Sequence, residues 1–489
     1  MESTECNMKN KMKPIPFLEL LNECLDEYKA KKSFFGVPVV VNEFDTPIGP
    51  AAGPHTQMAQ NLVSAYAAGA TVFELKTVQI LEGLELGIVK PCIYVGSEIY
   101  NTEWSTELTV KEATAEYIKA AILIQILSKE FDLTPFERLQ FVMSLGYDFD
   151  GICSSKLDNF IESMKNAYST EEWKKDIFIL KGCLDKFSNL TEEDIANFTP
   201  VICDTVTLST MHGCPAEDIE KIAKYLLKEK RLNTYIKMNP TLLDQADIES
   251  ILIKKGYEIS LPKEIFEKDI DMTSAKKIIS ACQKTADENG LFFGIKLTNT
   301  LPVNILNNEL QGEQMYMSGP ALFALSINTA YLLEREFEGN LSISYSGGAD
   351  HKNILEILEA GIAPVTVSSF LLKPGGYKNL SRLLVKADIP SKIDLNSLCV
   401  LAELSIKDEN YDRKMPKAYK RQKNYTSDCA VCHNCEDICP NRANKRISQK
   451  EKEAVIHINS LCNECGACAH SCLMGHIPYK EKTNSLEVE

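Results

Sequence analysis

The sequence predicts an α/β protein: a (β/α)8 barrel joined to a small C-terminal α+β module. Three observations predict it. Between residues 45 and 385, eight short β-rich runs alternate with helical patterns, and eight such units in succession point to a barrel. The ends of those runs carry Gly, Ser, Asn and Lys, the residue types that work at a barrel mouth. Beyond residue 425, eight cysteines fall into two near-identical runs. A doubly wound sheet is the alternative for the first stretch.

Taken in order, residues 1–40 read as a polar, helical extension with one amphipathic stretch from Phe17 to Tyr28. Residues 41–395 hold the barrel, with strands expected at Thr46–Ala52, Thr71–Thr77, Leu139–Tyr147, Val201–Leu208, Thr234–Asn239, Phe292–Asn299, Leu341–Ser346 and Ala363–Ser368. Stretches near 80–110, 150–200 and 243–290 read as insertions; the last two, helical in period and rich in charge, would form a lid over the barrel mouth or decorate it. Residues 396–425 read as a linker and 426–489 as the cysteine module.

The fourth unit shows the pattern well. A strand, Val201–Leu208, leads through Ser209-Thr210-Met211-His212-Gly213 to a helix opened by Pro215. Glu217 and Asp218 complement its positive end, while Lys228, Lys230 and Arg231 crowd its negative one. Ile219, Ile222, Ala223, Leu226 and Leu227 form the apolar stripe.

Bulk composition narrows the function. The chain has 489 residues, 25% charged and 44% hydrophobic, with a formal charge of −15. Such a charge argues against nucleic acid as a partner. No apolar run approaches 18 residues and no signal peptide is visible, so the expectation is no membrane contact and a cytoplasmic location. Nine of the 17 cysteines are scattered outside the two runs, which fits a reducing compartment. Residues 411–424 carry six Lys or Arg and one acid, which reads as a solvated linker or as a docking strip for an acidic redox partner.

The cysteine runs are Cys429-x2-Cys432-x2-Cys435-x3-Cys439-Pro440 and Cys462-x2-Cys465-x2-Cys468-x3-Cys472. Three thiolates at i, i+3 and i+6 wrap one [4Fe–4S] cube, and the fourth crosses to the neighbouring run. Cluster one thus takes Cys429, Cys432, Cys435 and Cys472; cluster two takes Cys462, Cys465, Cys468 and Cys439. Zinc also uses Cys-x2-Cys pairs, but a third cysteine three residues on fits its four-ligand sites badly.

At the mouth, strand one ends in the small residues Gly49-Pro50-Ala51-Ala52-Gly53-Pro54, which let a flat ring lie on the backbone. Lys76-Thr77 ends strand two, Asn101 follows, Lys237-Met238-Asn239 ends strand five and Thr298-Asn299-Thr300 ends strand six. Gly347-Gly348 and Ser368-Ser369 end strands seven and eight, the usual phosphate position in barrels. A phosphate there, lysines at strands two and five and a small-residue floor describe an FMN cradle. Cys214, expected at the N-cap of the fourth unit's helix, would have its thiol acidity increased there, which suits proton transfer.

These residues resemble known families. Ala51-Ala52-Gly53-Pro54, Lys76-Thr77, Asn101, Lys237-Met238-Asn239-Pro240, Thr298-Asn299-Thr300, Ser318-Gly319, Ser346-Gly347-Gly348 and Ser368-Ser369 resemble, in order, the FMN barrels of dihydroorotate dehydrogenase and dihydropyrimidine dehydrogenase. A resemblance over nearly all of the chain is to the family named for selenate reductase FMN/iron–sulfur subunits. It rests on Asn101-Thr102-Glu103-Trp104-Ser105, Met143-Ser144-Leu145-Gly146-Tyr147-Asp148, Leu208-Ser209-Thr210-Met211-His212-Gly213-Cys214-Pro215, Met238-Asn239-Pro240-Thr241-Leu242-Leu243 and Gly294-Ile295-Lys296-Leu297-Thr298-Asn299-Thr300-Leu301-Pro302. The C-terminus resembles a bacterial two-cluster ferredoxin, except that Leu473 follows Cys472 where such runs have proline.

The resemblance implies an oxidoreductase of the dihydropyrimidine dehydrogenase kind, acting on a C=C or C=N bond of a planar lactam ring. FMN would be held by Ala52, Gly53, Lys76, Thr77, Asn101, Lys237, Asn239, Thr298, Gly319, Gly347, Gly348, Ser368 and Ser369. Substrate would meet Asn101, Thr207, Asn239, Asn299 and Thr300. Where the dehydrogenases have a catalytic cysteine and a substrate-binding asparagine in the strand-four loop, this chain has Thr210 and Thr207. The candidate proton donors are therefore Cys214, Thr210, Ser209 and His212. A fused purine such as urate is the preferred substrate, with a pyrimidine open. Larger relatives resemble fusions with an FAD- and NAD(P)H-binding module. This chain has no Gly-x-Gly-x-x-Gly after a strand, so the expected electron donor is a separate flavoprotein or ferredoxin-type protein. The alternative is an electron-transfer subunit for a molybdenum hydroxylase or selenate reductase, with no substrate of its own. Homo- or hetero-oligomerisation stays open.

Overall fold

The computed structural model describes residues 12–102, 105–210, 212–414, 429–449 and 452–481. Met211, Glu103, Trp104 and the basic stretch from residue 415 onward lie outside the described residues.

Eight parallel strands form the central sheet: β1 (Ile48–Pro50), β2 (Val72–Glu74), β3 (Gln140–Leu145), β4 (Thr205–Ser209), β5 (Asn233–Met238), β6 (Phe293–Leu297), β7 (Ile343–Tyr345) and β8 (Val365–Val367). Their hydrogen-bonded order is β1-β8-β7-β6-β5-β4-β3-β2. The ends of that ladder meet where the Thr71 N–H donates to the Ile48 carbonyl at 2.9 Å, so the sheet curls into a nearly closed barrel. Every expected strand is present; β5 keeps its length, shifted by one residue, and the others are shorter than read. Residues 201–204 are not strand; the Ile202 and Cys203 N–H groups bond to the Met164 carbonyl at 3.0 and 3.1 Å instead.

The registers place Ser209 beside Lys237, Lys237 beside Lys296 and Lys296 beside Ser344. This row is polar although it is buried. Lys296, 2% exposed, donates to Ser344 Oγ and Thr366 Oγ1, each at 2.9 Å, and lies 3.3 Å from Glu74 Oε2. Glu74 Oε1 is 4.0 Å from Lys237 Nζ, and Oε2 accepts the Ala52 N–H at 3.1 Å. Burial would raise the Glu74 carboxyl, but Lys296, Lys237 and the Ala52 amide outweigh it and hold it below the usual range. Burial lowers Lys296 to about 8, against the opposing pull of Glu74.

Outside the ring, helices bury their apolar faces on the strands. Ala216–Lys228 packs Ile219, Ile222, Ala223, Leu226 and Leu227 inward, and the N-terminal helix Phe17–Lys31 adds Leu20, Leu21, Cys24 and Leu25 to the same core. Residues 150–200 fold as helices as expected. In 243–290, Gln245–Lys254 and Lys263–Lys268 precede Met272–Asn289, which is the barrel helix beside Ala216–Lys228 rather than an insertion. The supposed linker also needs correction. It begins with the helix Leu395–Lys407, which packs on Phe323–Phe337 and buries Leu398, Leu401 and Ala402 in the core.

Over the mouth lies a second, antiparallel sheet in the order Leu301–Asn304, Gln314–Ser318, Ile99–Asn101, Ile93–Val95. The cysteine module is a hairpin, Asn444–Gln449 with Lys452–His457, and short helices at Asn434–Asp437 and Ala467–Ser471. It is docked on the barrel. The Asn61 side chain donates to the Pro440 carbonyl at 2.6 Å, and His55 Nε2 lies 3.1 Å from the Ile438 carbonyl. The Cys465 carbonyl accepts N–H bonds from Cys92 and Ile93 at 3.1 and 2.9 Å, and Glu23 pairs with Arg442. Among the described residues, no helix is long and apolar enough to cross a membrane.

Candidate active site and cysteine module

The strand ends and the covering sheet enclose a cavity of about 300 Å3. The first strand lines it with Ala51, Ala52 and Gly53; Lys76 and Thr77 follow from β2, and Lys237 from β5. A Cβ on Gly53 would lie 2.1 Å from Ser368 Oγ, so only glycine lets these two loops meet. Asn101 enters from the covering sheet, and Thr298, Asn299 and Thr300 from the end of β6.

The far end is built of glycine and serine. Gly319, Gly348, Ser368 and Ser369 line it, and Ser318 Oγ meets Ser369 Oγ at 2.9 Å. Gly348 has φ +82, and a Cβ there would sit 2.4 Å from the Gly319 carbonyl oxygen. Lys373, which sequence reasoning missed, lines the same cavity. Burial holds its ammonium below the usual range, with Asp350 opposing and Arg382 assisting. A Lys-Pro-Gly-Gly run just past the last strand was the available signal. Small-residue floor, two further lysines and Gly/Ser cradle are a donor set that fits FMN.

Four predicted residues do not reach the cavity. Gly347 packs on Ser326, whose Oγ would lie 2.0 Å from an added Cβ. Thr207 is buried in the barrel wall. Asn239 sits one step back, accepting from Asn299 Nδ2 at 2.8 Å and donating to Asp269 Oδ2 at 3.2 Å. Cys214 is not the helix N-cap; Pro215 is. Its thiol is pushed up to about 11 by burial and by the nearby carboxylates of Asp218, Asp148 and Asp269, the reverse of the expected activation.

Ser209, Thr210 and His212 do line the cavity. Thr210 donates to the Lys237 carbonyl at 3.1 Å, and Ser209 joins a hydroxyl chain through Ser144 to Thr77, with steps of 3.1 and 2.8 Å. His212 Nδ1 lies 2.6 Å from Asp269 Oδ2, and Nε2 lies 3.2 Å from the Thr300 carbonyl. Asp269 also accepts the Gly213 N–H at 2.6 Å and the Thr241 hydroxyl at 2.5 Å. Burial would raise its carboxyl, but His212, Thr241 and the Gly213 amide hold it below the usual range. Tyr316 of the covering sheet faces His212, with ring centroids 6.5 Å apart.

The two cysteine runs repeat each other in backbone as well as in spacing. Val431 and Glu464, each two residues past the first cysteine, have φ 49 and 55; His433 and Gly466 have 64 and 95; Arg442 and Gly475 have 55 and 71. Such left-handed positions cost energy for non-glycine residues and turn N–H groups inward. The Val431, Ala443 and Glu464 N–H groups each donate to a cysteine Sγ, of Cys429, Cys439 and Cys462, at 3.3 Å. Cys439, Cys462, Cys465 and Cys468 line one small cavity. Cys435 is pushed up to about 12 by burial and then by the facing thiols of Cys429, Cys472 and Cys432. Cys439 thus shares a cavity with the second run's thiols, and Cys435 faces Cys472 as well as thiols of its own run, Cys439 included. Among the described residues no group of three or more His, Cys, Asp or Glu converges on a single-ion site. Thiols spread around a volume and supported by N–H donors fit a cube.

Fold and mouth together define a (β/α)8-barrel protein with a Gly-, Ser- and Lys-lined mouth and a docked eight-cysteine module. The chain belongs to the family described as "Oxidoreductase YgfK, N-terminal TIM-barrel domain", whose model matches residues 24–414. It is 43% identical over 399 residues to "Putative oxidoreductase YgfK" of Escherichia coli K12, and equally to that of E. coli O157:H7. These alignments cover 76% of this chain and 38% of each relative, so the chain spans well under half the length of the curated relatives it matches. Among solved structures, it is similar to a dihydroorotate dehydrogenase of Eimeria tenella in complex with ferulenol. That match has a TM-score of 0.43 and 14% identity and covers 76% of this chain and 90% of the other.

Proposed function

We propose that this chain is an FMN- and iron–sulfur-dependent cytoplasmic oxidoreductase that reduces a C=C or C=N bond of a planar lactam heterocycle. Urate or a related purine is the preferred substrate, ahead of a pyrimidine. Electrons enter through two [4Fe–4S] clusters from a partner flavoprotein or ferredoxin-type protein. One observation carries the reading: a single cavity joins a small-residue floor, Lys76, Lys237 and a Gly/Ser cradle to a separate polar face of Asn101, Asn299 and His212. An electron-relay subunit has no need of that polar face.

FMN would supply hydride chemistry when bound. Lys76 and Lys237 would stabilise charge at the ring, and Gly319, Gly348, Ser368, Ser369 and Lys373 would hold the phosphate. Asn101, Asn299 and Thr300 would orient the lactam edge by donating and accepting hydrogen bonds.

The docking of the cysteine module supports the electron route. Ile93 lines the mouth cavity and donates its N–H to the Cys465 carbonyl at 2.9 Å. Leu372 also lines the cavity and packs with Ile93, Cys465 and Ile438 in one apolar cluster. Cluster two would therefore be the inner one. Cys429, of cluster one, is exposed and would face the donor.

The test is anoxic. Reconstituted holoprotein is reduced chemically and mixed with urate, xanthine or uracil. Reoxidation of the flavin with loss of the heterocycle's ultraviolet band supports the reading; no reoxidation by any member of the panel refutes the substrate class.

A further inference from the structure

We infer that His212, positioned by Asp269, is the proton donor of this site, replacing the thiol that a cysteine in the strand-four loop would provide. The inference rests on the proposed reduction of a heterocycle and names the acid for it.

Geometry and elimination among the groups that line the cavity single out His212. The Thr210 hydroxyl is committed to the Lys237 carbonyl and that of Ser209 to Ser144, at 3.1 Å each. Alcohols are also poor acids near neutrality. Cys214 lies outside the lining. His212 lines the cavity, and imidazole is the side chain whose ordinary titration falls near neutral pH. Its Nδ1 is held 2.6 Å from Asp269, while Nε2 faces Thr300, itself part of the lining. An imidazole held at Nδ1 by a buried carboxylate has its tautomer and ring plane fixed, and Nε2, now 3.2 Å from the Thr300 carbonyl, becomes the working atom when substrate takes that carbonyl's place.

Asp269 is built for this task. Besides His212 it takes the Gly213 amide, the Thr241 hydroxyl and the Asn239 amide, the last at 3.2 Å, so neither oxygen is free to swing. Asn239 in turn accepts from Asn299, which lines the cavity. The proton donor and a substrate-side amide are thereby tied to one carboxylate. The groups facing His212 from neighbouring elements are Asp269, Tyr316 of the covering sheet and the Thr300 carbonyl. Lys268 packs its side chain near Gly213, and Lys237 shares the cavity.

The step balances. One atom of the substrate double bond receives hydride, with its electron pair, from the reduced flavin of the proposed function. The adjacent atom receives a proton from His212 Nε2, and the bare nitrogen is reprotonated from water. The substrate gains two hydrogens and the flavin loses two electrons.

The test uses the holoprotein and two independent readouts. The first needs no substrate. In histidine-labelled protein, a downfield imidazole N–H proton bonded to a carboxylate should be present in wild type and absent in both His212→Gln and Asp269→Asn. Its absence from wild type, or its survival in D269N, overturns the positioning and the inference with it. The second follows oxidation of the prereduced flavin by whichever heterocycle the wild type accepts. H212Q should slow it by about 10²–10⁴-fold, with flavin content, read from the flavin spectrum, unchanged. His212→Ala should regain rate on addition of imidazole, and D269N should shift the pH profile. A full rate in H212Q, or a large loss in Tyr316→Phe with none in H212Q, overturns the inference. If wild type accepts no heterocycle, the proposed function fails while the first readout still decides the dyad.

Discussion

Lys296 and Glu74 give the sharpest stability prediction. Lys296→Met removes an ammonium that is 2% exposed and makes three polar contacts: 2.9 Å to Ser344, 2.9 Å to Thr366 and 3.3 Å to Glu74. Removing one partner of a buried pair strands the other charge, at a cost of about 3–5 kcal/mol. Here Lys237, 4.0 Å from Glu74, still offsets part of that charge, which places K296M near the lower figure, about 3 kcal/mol. Glu74→Gln leaves Lys296 and Lys237 facing each other. Because burial already pulls Lys296 down to about 8, it can shed its proton, so the loss should be smaller, about 2 kcal/mol. The double variant K296M/E74Q removes both members of the 3.3 Å pair, leaving only Lys237, which also lines the cavity, without its carboxylate, and should cost at least about 1 kcal/mol less than the sum of the singles. Guanidinium titrations followed by circular dichroism at one fixed pH would read these differences from the barrel transition. A K296M variant within about 0.5 kcal/mol of wild type, or simple additivity in the double, would refute the description of this buried network.

Further predictions concern other parts of the molecule. Burial raises Glu334 to about 7, partly opposed by the Leu341 and Gly339 amides, and its Oε1 has no hydrogen-bond partner. The folded state therefore binds a proton more tightly than the unfolded one, so this group's penalty is absent below about 4.5, grows as pH rises and is complete above about 7. Glu334→Gln should stabilise the protein at pH 8 by up to about 3 kcal/mol and make no difference at pH 4, and equal effects at both values would contradict this. Gly53→Ala forces a methyl into Ser368 Oγ, 2.1 Å from the built Cβ, and should cut flavin content severalfold at unchanged circular dichroism; full flavin retention would count against the cradle. The crossed ligation predicts that Cys429→Ser with Cys472→Ser spares one cluster, whereas C429S with Cys439→Ser removes both. Iron analysis and electron paramagnetic resonance distinguish the two, and the opposite pairing would show uncrossed runs.

Much of the barrel was legible because its signals are local. A buried parallel strand is a short apolar run, and a run of that kind underlies each of β1 to β8. The over-read stretch Val201–Asp204 looks like strand by composition, yet its amides are captured by the Met164 carbonyl, a partner no local pattern reveals. The covering sheet was missed for a similar reason: the pairing that joins Leu301–Asn304 through Gln314–Ser318 to Ile99–Asn101 is long-range and leaves no local pattern. The helix at Leu395 was hidden by its polar neighbours, though Leu398, Leu401 and Ala402 carry helical spacing.

The site divides along the same line. Lys76, Asn101, Lys237, Asn299, Gly348 and Ser368 converge because each sits at a strand end or in the loop that follows, and barrel geometry brings those ends together. Asp269 was invisible because it lies 57 residues from His212, at the end of a short helix in an insertion. Cys214 misled because the argument needed it at the N-cap, and a shift of one residue puts Pro215 there instead.

The measurement that tests the account most directly is the cofactor content of the full chain, purified and reconstituted without oxygen. The account predicts one FMN, with about eight irons and eight sulfides per chain, and a visible spectrum in which flavin bands ride on broad iron–sulfur absorption. A chain that folds with its barrel intact yet binds neither flavin nor iron would contradict it.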